Sequence, residues 1–104
     1  MGGCRLDRLS GLDRILATTE NHTYEIVVTS PLTAGVLVRG GRFLPTFTPA
    51  RLAGSSLGGS FVKTGTIHVG FRVELNVADG RPIVTSRVKA VRVIPIADSR
   101  YALM

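Results

Sequence analysis

The sequence predicts an all-β domain, a small antiparallel barrel or sandwich of about five to six strands preceded by a short N-terminal helix or tail. Three observations carry this expectation. Ile67, Val69, Phe71, Val73, Leu75 and Val77 alternate without a break with Thr66, His68, Gly70, Arg72, Glu74 and Asn76, the period of a strand buried on one face. Other β-branched and aromatic runs are short and separated by Gly and Pro. The chain has 104 residues, 44% hydrophobic and 19% charged, which fits one core and argues against both wholesale disorder and two independent domains. No internal repeat or linker divides it.

Taken in order, residues 1–20 read as a helix or flexible tail, and 21–104 as a single small β domain. Leu9, Leu12 and Leu16 fall at i, i+3 and i+7 with Asp and Arg between them, and Ser10 is placed to cap with Asp13 three residues on. Gly11 weakens that helix. Thr23 to Thr29 is a strand with Tyr24, Ile26 and Val28 on one face. Val36–Arg39 and Arg42–Leu44 flank Gly40-Gly41 and read as a hairpin that sets Val38 opposite Phe43 and Arg39 opposite Arg42, or else as a single bent strand through the glycines. Residues 45–60, with two prolines, three glycines and three serines, read as an irregular loop holding at most one helical turn after Pro49.

Thr66 to Val77 is the longest predicted strand. Asp79-Gly80 then turns the chain back through Ile83 to Ala90. In that register Leu75 faces Val84, Phe71 faces Val88 and Val69 faces Ala90, while Arg72 meets Arg87 and Gly70 meets Lys89 on the outside. The pattern slips at Ala90-Val91, as a β-bulge would make it. A last edge strand is expected around Arg100 to Leu103.

Motifs for chemistry are weak. Gly54-Ser55-Ser56-Leu57-Gly58 fits the spacing of a hydrolase nucleophile elbow, but a Pro-rich stretch precedes it, and His68 comes before Asp79 and Asp98 rather than after an acid. No Gly-Lys-Ser or Gly-Lys-Thr follows those glycines, so the segment is not a phosphate-binding P-loop. His22 and His68 stand 46 positions apart with no second ligand at a metal spacing. Cys4 is the only cysteine, which rules out an intrachain disulfide and a cysteine zinc cluster. No catalytic residue, metal or cofactor is expected.

Charge is the remaining signal. Thirteen basic residues against seven acidic give +6, and the isoelectric point of 10.8 lies in the range where a nucleic-acid footprint is worth testing. Eleven of the thirteen are Arg, whose planar fork suits phosphate and carboxylate, although a G- and C-rich coding sequence produces the same bias. The predicted ribbon gathers Arg72, Arg87 and Lys89 on one outer face, and the Arg39/Arg42 pair adds to them. The expectation is therefore a non-enzymatic basic binding module contacting nucleic acid or another polyanion through Arg39, Arg42, Arg72, Arg87 and Lys89. A homo-oligomeric or protein–protein module, built on the leucine stripe and the apolar tail, is the alternative. No segment approaches the length of a membrane span, so a cytoplasmic protein is expected.

Overall fold

The computed structural model describes residues 2–57 and 62–97. Along the chain run β1 (Gly3–Arg5), a 3-10 turn (Leu6–Arg8), β2 (Arg14–Thr19), β3 (Thr23–Ser30), β4 (Gly35–Gly40), β5 (Leu44–Ser56), β6 (Val62–Thr64), β7 (Thr66–His68), β8 (Arg72–Val77) and β9 (Pro82–Ile94). Going round the sheet, β2 pairs with β3, β3 with β4, β4 with β5, β5 with β8, β8 with β9, and β9 returns to β2, every pairing antiparallel. Six strands thus close a barrel, the all-β antiparallel class that the alternating pattern predicts. Strand β6 pairs antiparallel beside the end of β5, and β1 pairs with β7 as a separate two-stranded sheet.

Alternation decides which side chains fill the barrel. Ile15 and Ala17, Tyr24, Ile26 and Val28, Val36 and Val38, Val73, Leu75 and Val77 all point inward at every second position and are buried. Leu44 and Leu52 of β5 and Val88 and Val91 of β9 complete the wall, and Leu6 and Ile67 join the same core from the N-terminal turn and β7. Among the described residues no buried side-chain polar atom lacks a partner. Ser55 Oγ donates to the Thr66 carbonyl at 2.8 Å, for example, although both groups are buried.

The N-terminal helix is replaced by a strand. Arg14–Thr19 hydrogen-bonds to β3 on one side and β9 on the other, with Ile15, Ala17 and Thr19 inward. Pairing on both edges outweighs the leucine spacing, because a helix this short is marginal without packing. Leu12 is exposed at a φ of 72°, which no α-helix permits. The Ser10–Asp13 pairing does form, but as a turn: the buried Asp13 carboxylate accepts from Ser10 N and Ile96 N, each at 2.8 Å.

The irregular loop over 45–60 is likewise replaced, by the 13-residue strand β5. Its prolines sit where the ladder tolerates them: Pro45 lies in a bulge between the Gly40–Leu44 and Val38–Thr48 pairs, and Pro49 offers its carbonyl to Ala78 N at 3.0 Å. The turn before β5 is Gly41-Arg42-Phe43, so Val38 does not face Phe43, and Arg39 lies opposite Glu25 rather than Arg42. Gly40 is required at that corner, since a Cβ there would stand 2.6 Å from the Thr23 carbonyl oxygen at a φ of 144°.

The long Thr66–Val77 strand breaks at Val69–Phe71, where Gly70 takes a φ of 89°. Strand β7 leaves the barrel wall to pair with β1, so Phe71 is only half-buried and Val69 is exposed. Leu75 meets Ile83 rather than Val84, because an extra residue sits on β9 between Val84 and Arg87; Thr85 turns inward there and its Oγ1 accepts Val73 N at 3.0 Å. Arg72 and Arg87 are partners as predicted, and Val88 exchanges hydrogen bonds with Gly70 and Phe71. A second register shift, where Thr18 pairs with Ala90 and Thr19 with Val88, leaves Lys89 as the extra residue, one position before the bulge expected at Ala90-Val91. The edge strand predicted at 100–103 lies outside the described residues.

Candidate polyanion-binding face

Strand β9 carries the longest run of outward cations. Its inward positions are taken by Thr85, Val88 and Val91, so Arg87, Lys89 and Arg92 are left on the outer surface, all exposed. Arg72 of β8 stands directly across from Arg87; it is half-buried and its Nη1 donates to the Thr85 carbonyl at 3.2 Å, which fixes the guanidinium against the sheet. Four ion pairs occur among the described residues, and none includes Arg72, Arg87, Lys89 or Arg92. The nearest carboxylate contact is Glu20, whose Oε1 accepts the Arg87 backbone N–H at 3.3 Å. Like charges directly opposite one another on a sheet are destabilising, so this cross-strand arginine pair costs stability in the free protein.

Arg42 and Arg39 lie apart from that run and differ from each other. Arg42 is exposed in the Gly41-Arg42-Phe43 turn, on the rim of a groove of about 290 Å³ that reaches along Pro82–Ser86 of β9 and so ends next to Arg87. Phe43 shares that rim and is 67% exposed, and the floor includes His22 and Tyr24, whose rings meet edge to face at 6.2 Å. Arg39 instead donates to Glu25 Oε1 at 2.5 Å, and its guanidinium carbon stands 4.3 Å above the Phe47 ring. Arg14 of β2 pairs with the other Glu25 oxygen. Between two guanidinium groups, first the hydrogen bond from Arg39 and then that from Arg14, the Glu25 carboxyl is held below the usual carboxylate range despite partial burial. Arg39 is thus a neutralised cation, while Arg42 is an available one.

No family model, curated protein or solved structure matches this chain. Function is therefore read from the residues themselves. No group of three or more His, Cys, Asp or Glu among the described residues is arranged to hold a metal ion, and no helix among them is long and apolar enough to cross a membrane. The elbow-like Gly54–Gly58 segment offers no exposed nucleophile, since Ser56 is fully buried in β5 opposite Val62 and Arg72.

Two functional features were harder to read in the sequence. Arg92 follows the Lys89 bulge, and the pattern does place it outward, but only the β9–β2 pairing aligns it with Leu16 and makes it part of the same face. For Phe43, the two-residue turn expected at Gly40-Gly41 set it opposite Val38, whereas the chain turns over Gly41-Arg42-Phe43. The three-residue turn aims it outward.

Proposed function

We propose that this protein is a non-enzymatic binding module that holds a polyanion, in its sharper form a single-stranded nucleic acid, against the outer face of β8 and β9. The observation that supports the reading is the Arg72–Arg87 pair: two arginines are direct cross-strand partners, neither is in an ion pair among the described residues, and Lys89 and Arg92 continue the row. An anionic backbone between them turns a repulsion into two charge-assisted contacts. Arg42 and the exposed Phe43, across the groove from Ser86, supply a cation and a ring face for a base. Arg39, already held by Glu25, contributes at the periphery.

Fluorescence anisotropy of a labelled single-stranded oligonucleotide, titrated over a range of salt concentrations, tests this. The affinity should fall linearly on a log–log plot against salt, and Arg87→Ala with Lys89→Ala should reduce the slope by about one unit per lost phosphate contact. A slope unchanged in the double variant removes both residues from the site. The alternative, a homo-oligomeric or protein-binding module, is favoured by the outward leucines Leu12, Leu32 and Leu57. It expects an oligomer by light scattering that ignores both salt and polyanion, because apolar burial responds little to ionic strength.

A further inference from the structure

Strand β5 changes neighbour halfway along its length. Through Arg51 it pairs with β4, the last contact being Arg51 with Gly35, and from Gly54 onward the same edge pairs with β6, starting at Thr64. Between these stretches, among the described residues, the wall is held by two backbone bonds, Leu52 N to the Ala34 carbonyl at 2.9 Å and Gly65 N to the Ala53 carbonyl at 3.1 Å. The wall opens there into a cleft of about 410 Å³, a size typical of small-molecule sites, which run from roughly 300 to 1,000 Å³. Its apolar lining includes Pro31, Leu32 and Ala34 of the 31–34 turn, with Leu32 91% exposed, beside the core residues Leu6 and Leu52.

The polar groups in this cleft converge from one direction. Arg51 of β5 and Asn76 of β8 are direct cross-strand partners, and neither side chain has a hydrogen-bond or ion-pair partner among the described residues. Thr64 lies on the same lining. Arg5 and Asp7, also on the lining, are bonded to each other at 2.8 Å and cancel. One uncompensated guanidinium, one free amide and the apolar lining of the 31–34 turn are left.

The geometry points to a binding site for a small monoanionic carboxylate carried on an apolar body, with the carboxylate forked by Arg51, hydrogen-bonded by Asn76, and the body laid against Pro31, Leu32 and Ala34. A planar guanidinium matches a carboxylate bidentately, and a single positive charge calls for a single negative one. The site is separate from the β8–β9 cations: Asn76 stands four residues along β8 from Arg72.

Titrating the isotope-labelled protein with octanoate, followed by amide NMR shifts, tests the assignment. Saturable shifts should gather at Ala34, Leu52, Ala53 and Gly65, 1-octanol should bind at least about tenfold more weakly, and Arg51→Gln should weaken octanoate to a similar degree, because a charged hydrogen bond is lost. The exposed Arg51 position lets that variant keep a dispersed native spectrum. Arg87→Ala should leave octanoate binding unchanged, which separates this site from the polyanion face. Equal binding of octanol and octanoate, full affinity in Arg51→Gln, shifts confined to β8 and β9, or no saturation would each overturn the proposal.

Discussion

Glu25 is an outward-facing residue whose surroundings change its chemistry. Held by Arg39 and Arg14, its carboxyl titrates below its ordinary value of 4.5, so the folded state binds its proton less readily than the unfolded chain. The stability it contributes is complete above that ordinary value and is lost as pH falls through the lowered one. Both arginines are open to water, so the contribution is that of a screened surface network, roughly 0.5–1 kcal/mol. Glu25→Gln should lower denaturant stability by about that amount at pH 7, and the difference from the parent should shrink as pH is taken down from 4.5; a loss that does not change with pH would assign the effect to packing instead. Cys4 is the second case. Burial pushes its thiol up to about 11, and at pH 8 the thiolate is then only about a thousandth of the population. Its reaction with an aromatic disulfide reagent should be about 100-fold slower in the native protein than in denaturant. Native reactivity matching the unfolded rate would mean that the thiol is open to solvent. Neither environment was legible along the chain, because Glu25 meets Arg39 only through the β3–β4 register and Cys4 is covered only once β1 pairs with β7.

At the scale of elements, alternation was the reliable guide and turn chemistry the weaker one. Val73, Leu75 and Val77 point inward as their spacing requires, and Asp79-Gly80 does turn the chain back, with Asp79 bonded to both the backbone and the side chain of Arg81. Strand β5 was hidden because Pro45, Pro49 and Gly54 carry the local signature of a loop, and only pairing on both its edges makes a strand of it. The leucine spacing near the N-terminus misled for a related reason: Leu9, Leu12 and Leu16 do not share one face, since Leu9 and Leu12 lie in turns, the second of them exposed, and Leu16 sits between inward residues of β2. Leu6 is the informative one. It is 1% exposed and packs the 3-10 turn into the barrel, so Leu6→Ala should cost about 2–4 kcal/mol in chemical denaturation. A loss under 1 kcal/mol would mean that the N-terminal segment is not docked as described.

For the whole molecule, closure is the property that no local pattern contains. The sequence leads to about five to six strands without showing two of the barrel's own, β2 and β5, and whether the last strand lies beside the first depends on the sum of bulges and tilts around the sheet, including the two register shifts on β9. The β2–β9 seam joins residues about 80 positions apart, as in Arg14 with Ile94. Contacts this distant are formed late and slowly, so refolding by stopped-flow should take milliseconds to seconds rather than microseconds. A microsecond phase carrying the full amplitude would contradict a seam formed as part of the cooperative unit.

That seam also fixes how the barrel answers to force. Because β2 and β9 run antiparallel, the start of one and the end of the other lie side by side at Arg14 and Ile94. A pull applied to the chain on either side of the barrel therefore loads the ladder one rung at a time, in the manner of a zip, instead of shearing all its hydrogen bonds together. The joint that completes the barrel is by the same geometry a line along which the structure would unzip under tension.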